Sequence, residues 1–169
     1  MRALKDAGAA EVSVSGYPER HPHSPDWEAE IDTLKRKVDA GADCAITQFF
    51  FENDLFDAYV ERVRRAGIGI PIVPGIMPIH RFSAICGFAG RCGTSIPISL
   101  ASRFAGLDEN SDTRAGVATA VAAEQMADLI RRGVGEFHIY TLNRADLTEA
   151  VFGSLGLESG ERCDARAAA

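Results

Sequence analysis

The chain has 169 residues, with 18 Lys plus Arg against 24 Asp plus Glu, for a formal net charge of -6. Its 46% hydrophobic and 25% charged residues are ordinary globular usage, which excludes global disorder. The acidic balance argues against a broad nucleic-acid surface, and no apolar run approaches the roughly 20 residues of a membrane span. A cytosolic, soluble protein with no membrane partner is therefore expected.

Residues 1–8 read as the end of a helix closed by Gly8. Glu11 to Tyr17 (EVSVSGY) alternates and is β-branched, so it predicts a strand. A loop rich in Pro and His follows, and Ser24 before Pro25 reads as the cap of a helix. Ile31, Leu34 and Val38 share one face of that helix, and Gly41 suits its end. Cys44 to Phe51 (CAITQFFF) is the second strand, and Asn53 or Asp54 can cap the helix that carries Phe56, Tyr59, Val60 and Val63. Ile70 to Ile76 is a short third strand, followed by a helix over 81–92 and a shorter one over 99–104. Thr113 to Arg132 is a long alanine-rich helix. Phe137 to Leu142 (FHIYTL) is the fourth strand, and Asn143 is placed to cap a last helix over 144–155. The tail over 159–169 is expected to be flexible.

Four strands, each followed by a helix, spell the βα grammar of a parallel sheet. The pattern fits either a small doubly wound sheet or a run of units from a (β/α)8 barrel. In both, ligands bind beyond the carboxyl ends of the strands. Those ends carry Tyr17, Glu19 and His21; Gln48; His80; and Asn143 and Arg144. His21 and His23 read either as solvated loop histidines or as donors to a phosphate or ring ligand. A glutamine in an apolar strand costs desolvation unless it is hydrogen-bonded. Gln48 is therefore either a satisfied core amide or an amide aimed at a heterocycle. Lys35, Arg36 and Lys37 form a basic run in the last turn of a helix, which suits the helix dipole. By pattern alone it reads as a solvated face, with phosphate binding as the alternative. Phe88 in mid-helix reads as core. Cys44, Cys86, Cys92 and Cys163 form no C-x-x-C pair, so four reduced thiols and no metal site are expected. Neither a phosphate-binding glycine loop nor a serine-nucleophile elbow is present.

The segments GYPERHP (16–22), LKRKVDAGADCAITQFFFEND (34–54), PIVPGIMPI (71–79) and FHIYTLNRA (137–145) resemble methylenetetrahydrofolate reductase. Each is weak alone, but their combination in this order is specific. The resemblance runs from about Val12 to Leu157. It implies a (β/α)8 TIM barrel that binds FAD and passes hydride from NADH or NADPH to 5,10-methylenetetrahydrofolate. The product, 5-methyltetrahydrofolate, feeds methionine synthesis in one-carbon metabolism.

By the same resemblance, Tyr17 and His21 contact FAD, and Arg36 and Lys37 lie near its phosphates. Glu30, where the family often has Asp, and Thr33 occupy further flavin positions. Gln48 binds the pterin, and Phe88 packs on folate or nicotinamide. Leu142 and Arg144 line the substrate site, while Ala84 stands where some members have glutamine.

The resemblance also places four βα units before EVSVSGY, and these carry the glutamate that acts as general acid. No residue of this chain matches that glutamate. A whole barrel takes about 250 residues, so residues 1–158 are expected to be the C-terminal half of one. Such a half is expected to be inactive alone. It is expected to associate through its open sheet edges, as a homo-oligomer or with another chain, and a non-catalytic flavin- or folate-binding half-barrel is the alternative.

Overall fold

A computed structural model describes residues 1–107 and 111–157. The expected flexible tail over 159–169 lies outside the described residues. The elements are α1 (Arg2–Asp6), β1 (Ser13–Gly16), α2 (Trp27–Asp39), β2 (Cys44–Phe49), α3 (Asn53–Arg65) and β3 (Ile72–Ile76). They continue with α4 (Phe82–Cys92), α5 (Ile98–Phe104), α6 (Ser111–Arg131), β4 (His138–Ile139) and α7 (Ala145–Ser154).

The sheet is parallel throughout, in the order β1-β2-β3-β4. A doubly wound sheet reverses its strand order at a switch point, and this one does not. Every crossover moves one strand the same way, and right-handed crossovers then put the helices on one face. Among the described residues β1 and β4 are free edges, so the sheet is not closed into a barrel.

The core has three parts. Leu34, Ala45, Tyr59, Val63 and Ile68 join α2 and α3 to β2. Phe50, Phe56, Ile76, Met126, Leu129 and Val151 join α3, α6 and α7 to β3. A third cluster, with Phe49, Met77, Ile79, Ile85 and Phe104, lies beyond the carboxyl ends of β2 and β3 under α4 and α5. Ala118, Ala122 and Ala123 are buried on α6, where their small side chains let it approach closely. Among the described residues no helix is long and apolar enough to cross a membrane.

Several local expectations are corrected. The cap of α2 is Asp26, whose carboxylate accepts from Ala29 N at 2.8 Å. Ser24 instead gives its hydroxyl to Glu30. Asn53 is the first residue of α3 and caps nothing; its amide donates to Gln125 O at 3.1 Å and Asp128 Oδ2 at 2.8 Å. Gln125 in turn donates to Phe50 O at 2.9 Å, so this pair latches α6 onto the end of β2. Asn143 is not the cap of α7: Arg144 precedes that helix, and Asn143 has φ +61°. The fourth strand pairs over only two residues.

Between β2 and β3 the register slips. Ile46 pairs with Val73 and Phe49 with Gly75, so Thr47 and Gln48 together oppose Pro74. Proline has no N–H to give to a neighbouring strand, and a central strand tolerates it at a bulge. The Thr47 hydroxyl fills the gap by accepting from Gly75 N at 2.9 Å. The Thr94 hydroxyl donates to Phe49 O at 2.9 Å, and the Tyr140 hydroxyl donates to Thr47 O at 2.9 Å. A bulge re-aims the side chains it carries, and here it carries Gln48.

Candidate functional site

Along the free edge of β1 the chain gathers Tyr17, His21, Glu30, Thr33, Arg36 and Lys37. Glu30, Thr33 and Lys37 recur at helical spacing on one face of α2, with Arg36 beside them. Glu30 is buried, and its Oε2 accepts from His21 N at 3.2 Å as well as from Ser24. It therefore ties the Pro- and His-rich loop to α2. The Tyr17 and His21 rings meet edge to face at 4.7 Å. His21 Nδ1 accepts from His23 N at 3.0 Å, so the neutral ring carries its proton on Nε2 as a donor. Lys37 Nζ donates to Ser15 O at 2.9 Å and to Ser15 Oγ at 3.3 Å, covering a carbonyl of the edge strand. Burial holds the Lys37 ammonium below the usual lysine range, with Glu30 opposing. Arg36 is exposed and held by Asp32 at 3.0 Å and Thr33 Oγ1 at 3.1 Å.

The other candidates sit beyond the ends of β2, β3 and β4. Gln48 is half-buried, and an N–H partner can only be met by its carbonyl. Oε1 accepts from Phe49 N at 3.0 Å, which leaves Nε2 as a donor with no partner among the described residues. The core-amide reading of Gln48 is thus half met. Phe88 stacks on Phe49 at 5.7 Å and 20° and keeps part of its ring open. Leu142 is 59% exposed with φ +48°, a left-handed conformation rare for so bulky a residue. Arg144 grips Asp146 through Nε at 3.2 Å and Nη2 at 2.9 Å, and its Nη1 lies 2.6 Å from His80 Nε2.

The two groups touch at one point. A tight crevice is lined by Tyr17 and Glu19 from the loop, by Gln48 and Phe49 from β2, and by Cys92 and Thr94 behind α4. Glu19 Oε2 accepts from Ser95 N at 2.9 Å, while its buried Oε1 has no partner among the described residues. A separate groove of about 790 Å³ between α2 and α3, walled by Trp27 and Arg62, contains none of the ten candidates. Among the described residues no three His, Cys, Asp or Glu side chains converge as metal ligands, and Cys44, Cys86 and Cys92 are free.

Sequence reasoning missed Thr47, Tyr140 and the pairing of His80 with Arg144. A threonine inside CAITQFFF and a Pro-Gly inside IPIVPGI were the available signals of the bulge. Nothing local marks His80 and Arg144 as partners.

A sequential parallel sheet with each strand followed by a helix is a βα fold, in which ligand sites are built at the strands' carboxyl ends. The chain belongs to the methylenetetrahydrofolate reductase family, whose model matches residues 1–156. It is 41% identical over 157 residues to the 5,10-methylenetetrahydrofolate reductase of Escherichia coli, covering 93% of this chain and 53% of that protein. The enzyme of the same name from Buchnera aphidicola (subsp. Acyrthosiphon pisum) is 37% identical, with 91% and 53% covered. Methylenetetrahydrofolate reductase (NADH) 1 of Arabidopsis thaliana is 35% identical, with 86% and 26% covered. The chain spans about half the length of its bacterial relatives. A solved structure from Clostridium thermocellum, described as binding two copies of 5-methyl-5,6,7,8-tetrahydrofolic acid, shares the fold. Its TM-score is 0.53 at 15% identity, over 83% of this chain and 51% of that one.

Proposed function

We propose that these residues form the folate- and flavin-contacting part of a reductase that converts 5,10-methylenetetrahydrofolate to 5-methyltetrahydrofolate with NADH or NADPH. The observation that carries this reading is the 41% identity to the Escherichia coli reductase over 93% of the chain. The grouping of the ten candidates supports it.

The donor set along β1 suits an anionic cofactor such as FAD: Arg36 and Lys37 are cations, and His21 offers Nε2–H. Arg36, Lys37 and His21 would hold FAD there, and the chemistry it would supply is the relay of hydride between nicotinamide and folate. Tyr17 and His21 would hold the cofactor from the loop, and Glu30 fixes that loop to α2. Thr33 is the weakest of the set, since its hydroxyl already accepts from Arg36. On the folate side, Gln48 would donate Nε2–H to the pterin edge while Phe49 N holds its carbonyl. Phe88, backed by Phe49 and with the exposed Arg91 guanidinium 5.5 Å over its ring, would offer a flat face to a ligand ring once that arginine swings aside. Leu142 and Arg144 would border the remainder of the folate, with the guanidinium facing its carboxylates. The general acid belongs to βα units that the resemblance places before Ser13. We therefore assign no residue here to proton donation, and activity is proposed for the assembled barrel.

The test is ligand binding by the purified chain. FAD is followed by quenching of its fluorescence and 5-methyltetrahydrofolate by calorimetry. Gln48→Ala is expected to weaken the folate about tenfold and leave FAD unchanged. Equal folate affinity in both forms would remove Gln48 from the site. Binding of both ligands, with no turnover after the βα units that the resemblance places before Ser13 are supplied, would favour the non-catalytic half-barrel.

A further inference from the structure

His80 lies just beyond β3 and Arg144 just beyond β4, 64 residues apart in sequence. Their contact of 2.6 Å is between two nitrogen atoms, Arg144 Nη1 and His80 Nε2. A guanidinium only donates. Nε2 must therefore present its lone pair, and the imidazole must be neutral with its proton on Nδ1. The remaining edge of the guanidinium is occupied by both oxygens of Asp146. The planar fork is thus held on two sides, by a carboxylate and by an imidazole. Beside this pair opens a cavity of about 230 Å³, walled by α6 through Asp112, Arg114 and Ala118 and by α7 through Leu147.

We infer that His80 is the positioning residue of Arg144, and that proton uptake by His80 releases the guanidinium from its fixed orientation. The pairing stands on geometry alone; its consequence for ligand binding rests on the proposed folate site.

The surrounding charges oppose the imidazolium. Arg144 faces His80 from the start of α7, Arg114 from α6, and Arg81 from the start of α4, while Asp146 acts in the opposite sense; Asp112 lines the same cavity. Burial first, and then these arginines, hold the His80 pKa below the ordinary imidazole value of 6.5. Between the native and unfolded pKa values the unfolded chain holds a proton that the native chain lacks. The contribution of His80 to stability and the His80–Arg144 bond therefore grow with pH across that window, and both are lost as pH falls through the native value, which lies below 6.5.

The first experiment reads the ring itself. Long-range 1H–15N correlation spectra of the full 169-residue chain should show His80 as the Nδ1–H tautomer. Its titration midpoint should lie below 6.5 and rise in Arg144→Met. An Nε2–H tautomer, or a midpoint that Arg144→Met does not move, overturns the inference whatever ligand the site takes.

The second experiment follows affinity for 5-methyltetrahydrofolate from about pH 8 to about pH 5.5. Wild type should weaken about tenfold, the worth of one hydrogen bond to a charged group. His80→Gln keeps an acceptor near Nε2 that cannot titrate, so its affinity should match wild type at high pH and stay flat. His80→Phe should be weaker by about the same factor throughout. A wild-type profile as flat as that of His80→Gln overturns the switch. Failure of every form to bind the folate would overturn the folate reading, while the tautomer and titration still decide the pairing.

Discussion

Leu142 and Asn143 are consecutive non-glycine residues with φ of +48° and +61°, directly between β4 and Arg144. Each such residue costs about 1–3 kcal/mol, less for Asn than for Leu. The conformation turns Leu142 out to solvent and delivers Arg144 to His80. Leu142→Gly is therefore expected to stabilise the chain by about 1 kcal/mol in urea unfolding, because glycine adopts the conformation freely. The same variant should weaken folate binding if Leu142 borders the ligand, and an unchanged or lowered stability would show that the turn is not strained. At this scale the sequence was partly legible. Gln48 stood out because an amide in an apolar strand demands a partner, and His21 because it follows a strand end. Glu30 did not reveal itself as the anchor of the His21 loop, since it lies nine residues beyond His21 on an ordinary helix. The His80–Arg144 contact spans 64 residues and leaves no local trace.

At the scale of elements, the bulge is the device that joins β2, β3 and β4 and sets the direction of Gln48. A methyl group on Gly75 would lie 2.2 Å from Thr47 O and 2.6 Å from the Tyr140 ring. The first contact is with backbone, which cannot swing aside. Gly75→Ala is expected to cost about 3 kcal/mol and to move the strands apart. Thr47→Val, nearly the same shape, removes only the hydroxyl and leaves Gly75 N unpaired in a buried place. It should cost about 1–3 kcal/mol, and folate affinity should fall with it because Gln48 is the next residue. Chemical denaturation and calorimetry on the two variants decide the point: a neutral Thr47→Val would mean that the bulge is held by strand pairing alone. Helices were the legible part of the fold, because i, i+3, i+7 spacing and glycine stops survive any tertiary context. Their caps were less so: Ser24 and Asn53 had partners elsewhere that the local sequence did not show. The bulge needed two strands at once, and its signs in one dimension were Thr47 in an apolar strand and Pro74 beside Gly75.

For the whole molecule, the decisive feature is a parallel sheet in sequential strand order that has two free edges among the described residues. β1 presents an outer row of backbone groups, of which Lys37 covers only the Ser15 carbonyl. On β1, Ser13 and Ser15 are exposed. β4 is paired over just two residues and, among the described residues, has no neighbour on its far side. Parallel sheets are stable when both faces are covered, and free edges recruit strands. The 169-residue chain is therefore expected to associate in solution. Sedimentation velocity should show a mass above 18.1 kDa that grows with concentration. Addition of a polypeptide comprising the βα units that the resemblance places before Ser13 should replace this self-association with a defined one-to-one complex. Both edges would then be paired, and the candidates of β1 and of the β2–β4 ends would face a common interior. An 18.1 kDa monomer at every concentration, indifferent to the added units, would mean that the edges are protected by means other than strand pairing. Because the proposed chemistry needs a proton donor from those units, the one-to-one complex is also the form in which reduction of methylenetetrahydrofolate should be measured.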